Sequence, residues 1–455
     1  MQLTLKEIYK AIGKEEPKDD LVVKGISTDS RIPQRDSLFF AIKGERFDGH
    51  NFLWEAYKNG CISAVVQYIP PSPPPIHLIE VADTLWALGK IAAYYREKFN
   101  PICIGVTGST GKTTTKEMLA HILRAKHNVL KSERNYNNEI GIPLTLFQLR
   151  EHHSAVVLEM AMRGKGQIAW LAEISKPQIG IITNIGPAHL EFFQSISEIA
   201  EAKAELLRAL PPDGYAILNM DNEFYPLLRS QAKCNILTFG LSPKADVTCE
   251  VLKREELYSL ELRTPKGKGI VKAAIEAEHD IYNLLAAVCA SICAGLSFEE
   301  ISQQLPTIPR PPMRLELIQL PNHILLINDT YNSNPLSLKS ALEYLKDKEG
   351  RRIAVLGDML ELGPESDRIH YEAGKWVKDA RVDILITIGE KARHLKDGAI
   401  ASGFSPDKAF SFSSRDEAFP YLRELLQEGD MVLVKASRKL ELDKLVEELK
   451  RCYTF

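Results

Sequence analysis

A lysine and a row of hydroxyl side chains lie next to two glycines in the sequence Thr-Gly-Ser-Thr-Gly-Lys-Thr, residues 107–113. The apolar residues 102–106 before it predict a buried parallel strand, and residues 114–126 after it predict a helix. A turn of this kind presents backbone amides and the positive end of the helix dipole to phosphate groups. The lysine neutralises charge, and the hydroxyl after it can bind Mg²⁺. We therefore predict that a nucleoside triphosphate binds to Gly108, Ser109, Thr110, Gly111, Lys112, Thr113 and Thr114.

One position departs from the strict P-loop pattern, which places a glycine five residues before Gly111. Val106 occupies that position. A Gly-Lys-Thr sequence can also occur by chance in an ordinary loop, but the predicted strand before it and the helix after it argue against that alternative.

Further polar residues are predicted to follow the carboxyl ends of other strands in the same sheet. Glu159 ends the apolar segment 154–159, and His189 follows the segment 179–184. Because ligands bind beyond the carboxyl ends of parallel strands, one sheet edge can bring these side chains to the phosphates. Glu159 offers a hard oxygen ligand for Mg²⁺, and His189 is a candidate for a second metal or for the substrate. Solvated or purely structural roles are the alternatives for both, and spacing alone gives Lys203 no special role.

The first hundred residues contain a second polar cluster, in the loop before the predicted strand 37–44. Its hydroxyls and guanidinium could hydrogen-bond a sugar or a diphosphate, although serine, threonine and aspartate also favour ordinary solvated turns. A second glycine-containing loop, residues 43–52, follows the same strand. The two loops predict a surface for a small ligand, with the candidate residues Ser27, Thr28, Ser30 and Arg31.

The length and composition indicate a soluble protein of several domains. The chain has 455 residues, of which 45% are hydrophobic and 26% charged, and its net charge is −3. This charge favours neither nucleic acid nor an anionic membrane as a partner. Seven cysteines without a CxxC pair suit a reducing compartment. Since no signal peptide and no run of about 18 apolar residues is apparent, we expect a cytoplasmic protein without a membrane span.

Two predicted domain boundaries, at Asn100-Pro101 and at the proline-rich segment 305–312, divide the chain into three predicted domains, 1–99, 100–311 and 312–455. Strands that alternate with helices predict a small mixed α/β domain, followed by a P-loop ATPase domain with a mostly parallel sheet. The last domain is predicted to be doubly wound and Rossmann-like, although it lacks the GxGxxG pattern of dinucleotide-binding proteins. Two α/β domains joined by a proline hinge could close over substrates.

Longer motifs resemble one enzyme family, the Mur ligases, whose ATP loop also lacks the first P-loop glycine. The phosphate loop carries this resemblance together with segments in all three predicted domains, namely residues 27–31, 39–52, 135–146, 183–191, 329–335 and 355–363. It is closest to members that add D-alanyl-D-alanine to UDP-N-acetylmuramoyl-tripeptide. The resemblance implies that ATP phosphorylates the tripeptide carboxylate to an acyl phosphate, which the dipeptide amine then attacks with release of phosphate.

The resemblance also implies catalytic and metal-binding roles. Lys112 and Thr113 are expected to hold the phosphates and Mg²⁺, and Glu159 and His189 are expected to be ligands at two metal sites. Lys203 matches a lysine that members of the family carbamylate, which would convert it from a cation into a ligand for the second metal.

Contacts with the substrates are implied in the same way. Asn283, Arg314 and Asp329 are assigned to the adenine, a phosphate and the ribose of ATP. Ser27, Thr28, Ser30 and Arg31 are assigned to the UDP end of the nucleotide-linked tripeptide. The other implied substrate-binding residues are Asn137 and Asn138, and, for the incoming dipeptide, Asn332, Asn334, Ser437 and Arg438.

Four residues depart from the family pattern, because Ala161, Phe192, Gln194 and Ala436 stand where glycine is usual. These changes alter backbone freedom rather than chemistry. Two alternatives remain open: another amide ligase of the same superfamily, such as a folylpolyglutamate-type enzyme, or a P-loop kinase or NTPase. A monomer is the expected oligomeric state.

Overall fold

A computed structural model of the chain describes residues 1–133, 135–188 and 190–453. Within these residues the strands form three larger sheets, each flanked by helices, and two smaller antiparallel ones. This architecture confirms the predicted α/β fold class. None of the helices in these residues combines the length and the hydropathy of a membrane-spanning segment.

The first sheet is parallel and has the strand order β3-β4-β5-β6, while β1 and β2 form a separate antiparallel pair. The strands are β1 Leu3–Thr4, β2 Val22–Val23, β3 Gly25–Ser27, β4 Ser37–Phe40, β5 Cys61–Val66 and β6 His77–Glu80. The helices are α1 Leu5–Ala11, α2 Leu53–Lys58 and α3 Thr84–Arg96. The first helix begins at Leu5 because Leu3 pairs with Val23 and Thr4 caps the helix.

The central sheet is fully parallel, with the order β12-β11-β10-β7-β9-β8. Its strands are β7 Ile102–Thr107, β8 Val129–Lys131, β9 Ala155–Glu159, β10 Ile179–Ile182, β11 Tyr215–Asn219 and β12 Asn235–Phe239. An antiparallel meander follows and consists of β13 Thr248–Lys253, β14 Tyr258–Thr264 and β15 Gly267–Ala273. The helices are α4 Lys112–Leu123, α5 Gly141–Leu146, α6 Gln167–Ser175, α7 Ile196–Lys203, α8 Glu205–Arg208, α9 Tyr225–Gln231, α10 Glu278–Cys293 and α11 Phe298–Gln304.

The third sheet has the order β16-β17-β21-β18-β19-β20, and all its pairs are parallel except the edge pair β16–β17. Its strands are β16 Glu316–Gln319, β17 Leu325–Asp329, β18 Arg352–Gly357, β19 Ile384–Ile388, β20 Ala409–Phe412 and β21 Met431–Lys435. Its helices are α12 Pro335–Lys346, α13 Ser366–Asp379, α14 Ala392–Ala401, α15 Arg415–Leu425 and α16 Leu442–Tyr453. The predicted doubly wound arrangement is therefore present.

The central sheet is covered on both faces, which explains why its strands are apolar without alternation. In β9, Ala155 and Val157 belong to the core beneath α4 and α10, whereas Val156 and Leu158 belong to the opposite core. That second core also contains residues of α1 and α3. The hydroxyl of Tyr95, in α3, donates to the Leu149 carbonyl at 3.0 Å. The first sheet therefore packs tightly on the central one, and the boundary near residue 100 remains a prediction.

Candidate active site

The phosphate loop follows β7 at the point where the strand order of the central sheet reverses, between β7 and β10. This is the position at which parallel sheets bind ligands. Gly111 caps α4 with a φ of 79°, and a Cβ atom on it would lie 2.2 Å from Asn283 Oδ1. A Cβ atom on Gly108 would lie 1.9 Å from Thr183 Oγ1. Both glycines are therefore required by close approach of other side chains.

The segment after β10 holds the phosphate loop in place. Asn184 Oδ1 accepts a hydrogen bond from the Thr110 amide at 2.9 Å, and its Nδ2 donates to Thr110 Oγ1 at 2.5 Å. Ser109 Oγ donates to the Gly186 carbonyl at 3.0 Å. These bonds fix the loop conformation before any nucleotide binds, so little ordering is needed on binding.

Lys112 lies half-buried at the start of α4, and its ammonium donates to the Gly108 carbonyl at 2.8 Å. Burial lowers the pKa of Lys112; the negative charge of Glu159 opposes this effect, and the positive charge of Arg314 adds to it. A lysine in this environment gains stability from an incoming phosphate because the phosphate supplies the missing negative charge.

Glu159 and Thr113 form a pair of oxygen ligands at the mouth of the loop. The Glu159 side chain is buried, with Oε2 accepting from Thr113 Oγ1 at 2.8 Å and Oε1 accepting from Asn137 Nδ2 at 2.9 Å. Mg²⁺ typically takes one or two protein oxygens and completes its shell with phosphates and water. The pair fits such an ion, and in the described residues no group of three or more His, Cys, Asp or Glu side chains forms a richer site. The second proposed ligand, His189, lies outside the described residues.

Arg314 follows the proline-rich segment 305–312 in the sequence, and its side chain contacts the phosphate loop. Its Nη2 donates to Thr113 Oγ1 at 2.8 Å, and its guanidinium lies over the Tyr331 ring at 4.2 Å. Thr113 therefore donates to Glu159 and accepts from Arg314 at the same time. The Arg314 guanidinium, which belongs to the region of the third sheet (residues 313–453), therefore lies where the phosphates of a bound nucleotide are expected.

Lys203 and Asn283 are buried beside this loop. Lys203 is the last residue of α7, and burial together with the nearby charge of Lys112 lowers its pKa well below the ordinary value. Asn283 Oδ1 accepts from Thr115 Oγ1 at 3.3 Å and lies against Gly111, so it supports the loop from behind. Helix α7 ends at Lys203, and the short helix α8 follows after Ala204.

A second polar group lies at the carboxyl ends of β17 and β21. Asp329 Oδ2 accepts from the buried ammonium of Lys435 at 2.6 Å, and Lys435 also donates to the Asn332 carbonyl at 2.9 Å. Burial lowers the pKa of Lys435, while Asp329 opposes this change. The sequence analysis missed Lys435 as a site residue, although a lysine at the end of an apolar strand was a usable signal.

The other residues predicted to recognise the dipeptide already have partners within the chain. Ser437 Oγ accepts from the Leu360 amide at 2.9 Å. Asn334 Oδ1 caps α12 by accepting from the Ser337 amide at 2.9 Å. Arg438 forms an ion pair with Asp443 at 3.1 Å, and its Nη1 donates to the Met313 sulfur at 3.3 Å.

Asn137 and Asn138 also hold local structure. Asn137 contacts Glu159, and Asn138 Oδ1 accepts from the Gly141 amide at 2.9 Å at the start of α5. Substrate contact by these asparagines and by the dipeptide set stays a prediction.

A cleft of about 900 Å³ lies at the junction between the first region and the central one, and residues of both line it. The predicted residues Ser27, Thr28, Ser30 and Arg31 all line it, together with residues from the central region that the sequence analysis missed, namely Tyr136, Leu144, Phe147, Gln148 and Arg150. The motif 135–146 contains Tyr136 and Leu144, but nothing in the sequence indicates that this second set reaches the cleft, because that depends on the packing of α5 on the first region.

Hydrogen bonds keep the polar loop of the cleft in shape. Ser30 Oγ donates to Glu55 Oε2 at 2.6 Å, and Ser27 Oγ donates to the Asp29 carbonyl at 2.9 Å. Arg31 binds the Asp29 carboxylate with two nitrogens, which holds the pKa of Asp29 at about 2. The Arg31 guanidinium is otherwise exposed to the cleft and available to an anionic ligand.

Comparisons with known proteins agree with this geometry. The family models for the Mur ligase middle domain and for the Mur ligase glutamate ligase domain match residues 106–291 and 313–438. A UDP-N-acetylmuramoyl-tripeptide–D-alanyl-D-alanine ligase of Synechocystis is 38% identical over 95% of this chain and 93% of its own length. A crystal structure of MurF from Acinetobacter baumannii is 33% identical with a TM-score of 0.90 and covers 99% of both chains. MurF ligase from Thermotoga maritima, crystallised in complex with ADP, is 27% identical with a TM-score of 0.83, over 94% of this chain and 97% of the other.

Proposed function

The chain belongs to the Mur ligase family, and on that premise we propose that it joins D-alanyl-D-alanine to UDP-N-acetylmuramoyl-tripeptide at the expense of ATP. The relatives that match it over almost their whole length are named for this reaction. The product is the UDP-linked pentapeptide precursor of peptidoglycan, with ADP and phosphate released. Neither the folylpolyglutamate-type ligase nor the P-loop kinase has comparable support.

The observation that carries the proposal is the contact of Arg314 with Thr113. It joins the third sheet region, which carries the polar edge at Asp329 and Lys435, to the phosphate loop. This contact supports a ligase of three substrates over an isolated phosphate-binding loop, because such a ligase needs the third sheet region next to the bound nucleotide.

In the first step a carboxylate oxygen of the tripeptide attacks the γ-phosphorus of ATP, and the bond to the β-phosphate oxygen breaks to leave ADP. This step accumulates negative charge near the loop, so Lys112 and Arg314 stabilise the transition state as fixed cations. Mg²⁺, held by Thr113 and Glu159, would neutralise further phosphate charge. Loop amides that are already ordered contribute without reorganisation.

In the second step the amine of D-alanyl-D-alanine attacks the acyl carbon, phosphate leaves with its bonding electron pair, and the nitrogen loses a proton as the amide forms. We place the dipeptide at the edge that carries Asn332, Asn334, Ser437 and Arg438, and the ribose of ATP next to Asp329. Fixing amine and acyl phosphate together supplies most of the acceleration, since well-oriented pairs gain about 7–11 kcal/mol over free reactants.

Lys203 is proposed to be carbamylated. Its lowered pKa favours the neutral amine, which is the form that reacts with CO₂. The carbamate is anionic, so it would pair with Lys112 instead of repelling it, and it would provide an oxygen ligand for a second Mg²⁺ ion together with His189. The notable support is physical: a buried lysine close to a second cation is an unstable arrangement unless its charge is altered.

The UDP end is proposed to occupy the cleft, with Arg31 near the diphosphate and Ser27, Thr28 and Ser30 near the sugar or base. The chain is proposed to act in the cytoplasm as a monomer, on small-molecule substrates and without nucleic acid or membrane partners. Sedimentation equilibrium measures the mass of the purified protein in solution. A mass of one subunit is expected for the monomer, and a mass of two subunits would reject it.

The function is tested by measuring phosphate release from ATP and Mg²⁺ with UDP-N-acetylmuramoyl-tripeptide and D-alanyl-D-alanine added singly and together. We expect sustained release only with both, and a pentapeptide product by mass spectrometry. Release that does not depend on the dipeptide would reject the proposed reaction, since a kinase or NTPase has no need for the amine.

A further inference from the structure

A lysine is completely buried in the helix that follows the phosphate loop. Lys116 lies one turn after Thr113 in α4, and its relative exposure is 0%. Its Nζ donates to the Ser132 carbonyl at 2.6 Å and lies 3.1 Å from Glu117 Oε1. The other oxygen of Glu117 pairs with Lys131 at 2.6 Å. The Lys116 ammonium is thus directed at the residue that follows β8.

Ser132 connects this lysine to the Mg²⁺ ligand. Ser132 is buried, its Oγ accepts from the Glu159 amide at 3.0 Å, and its own amide donates to the Val157 carbonyl at 3.0 Å. The end of β8 is therefore tied to the end of β9 at the residue that supplies the carboxylate. Lys116 supports this connection from the side of α4.

We propose that Lys116 is a positioning residue for the Glu159 carboxylate and acts through Ser132. Helix α4 then holds Glu159 at two points, because Thr113 contacts its side chain and Lys116 supports the serine that binds its amide. This double attachment fixes the carboxylate oxygen relative to the first turn of the helix, where the phosphates and Mg²⁺ are to be bound. The inference rests on the Mg²⁺ site of the proposed function.

Burial makes a purely space-filling role unsuitable for a lysine. A buried ammonium loses its hydration and is tolerated only when hydrogen bonds and opposite charge replace the water. A methionine would occupy similar volume without that cost. The cation therefore has a function that an apolar side chain could not perform, and its shortest contact identifies that function as the orientation of Ser132.

The test compares Lys116→Met with the matched control Lys131→Met. Both changes remove a cation that pairs with Glu117, but only Lys116 donates to Ser132. Binding of a non-hydrolysable ATP analogue is measured by calorimetry across a Mg²⁺ titration and in EDTA, so the readout does not depend on turnover. Loss of groups that orient metal ligands typically costs about 10–100-fold in metal affinity.

We expect Lys116→Met to raise the Mg²⁺ concentration for half-maximal analogue binding by about tenfold and to leave binding in EDTA unchanged. Lys131→Met should stay within about twofold of the wild type because it leaves the Ser132 contact intact. Ser132→Ala should act in the same direction as Lys116→Met, and the double variant should show less than the sum of the two effects. Ser132→Ala also carries the test if Lys116→Met does not fold.

An unchanged Mg²⁺ titration for Lys116→Met, or an equal shift for Lys131→Met, would overturn the inference. Additive effects of Lys116→Met and Ser132→Ala would also reject the route through Ser132. The ligase assay of the wild type could fail while Lys116→Met still shows the expected shift in the Mg²⁺ titration. That outcome would refute the proposed reaction and leave this positioning role in place.

Discussion

Replacement of Arg314 by alanine is expected to reduce turnover strongly, because this side chain joins two regions at the phosphates. The change removes the hydrogen bond to Thr113 at 2.8 Å and the guanidinium that lies 4.2 Å from the centre of the Tyr331 ring. It also removes a positive charge that acts on Lys112. The loss falls on the reacting phosphates and not on the cleft that we assign to UDP.

The magnitude follows from the contacts. A charge-assisted hydrogen bond is worth about 1.5–3 kcal/mol, and the stacking on Tyr331 mainly holds the guanidinium in place at about 0.5–2 kcal/mol. If about 2–3 kcal/mol of transition-state stabilisation is lost, kcat falls about 30- to 160-fold, since about 1.36 kcal/mol corresponds to tenfold. Losses of single donors to developing negative charge in other enzymes lie in or above this range.

Steady-state phosphate release gives kcat and the KM for each substrate, with Arg368→Ala as the control. Arg368 forms exposed ion pairs on α13, whose removal should leave kcat within about twofold. Arg314→Lys keeps the charge but not the planar fork, so it should fall between wild type and alanine. A kcat for Arg314→Ala within threefold of wild type, or a loss confined to the KM of the UDP substrate, would refute the reasoning.

Three further changes test other parts of the site. Gly111→Ala should weaken binding of the ATP analogue by about tenfold or more. The left-handed backbone conformation of this position costs a residue with a side chain about 1–2 kcal/mol, and the new Cβ would meet Asn283. Unchanged binding would contradict this geometry. Lys203→Met should melt at a higher temperature than wild type near pH 7 in bicarbonate-free buffer. Because the pKa of Lys203 is lowered on folding, the unfolded chain binds more protons below the ordinary value of 10.5, so the wild type gains stability as pH rises and the difference should shrink near pH 10. Arg31→Ala should raise the KM for the UDP substrate about tenfold with kcat unchanged, since it removes binding remote from the reacting atoms; a fall in kcat alone would argue against the cleft as the UDP site.

The parts of the site that are consecutive in sequence could be predicted from it. A strand, two glycines, a lysine and a helix follow one another, and the structure places β7 and α4 accordingly. Glu159 ends β9 at the same sheet edge, as its place after an apolar segment predicts. Helix α4 starts at Lys112, two residues earlier than predicted, because Gly111 turns the chain directly into the helix.

Contacts between distant residues could not be predicted from local patterns. Arg314 and Thr113 are 201 positions apart, and their contact depends on how the third sheet region packs on the central one. The Asn283 side chain lies against Gly111 because α10 packs along α4. The cleft likewise depends on α5 meeting the first region, so the sequence does not show that Tyr136 and Leu144, which lie in the family motif 135–146, face it. The roles of Arg314 and Asn283 were instead predicted from the resemblance to the Mur ligase family.

Lys116 is a residue that neither local sequence patterns nor the family resemblance identified. Its spacing of three from Thr113 puts both on one face of α4, but a lysine at such a position is ordinarily assigned to solvent. Its burial is acceptable only because β8 ends beside β9, which brings the Ser132 carbonyl to the ammonium. That neighbourhood is a property of the strand order and not of the helix sequence. Residues of the phosphate loop itself can be recognised from their type and spacing, whereas residues that orient them are defined by the packing that surrounds them.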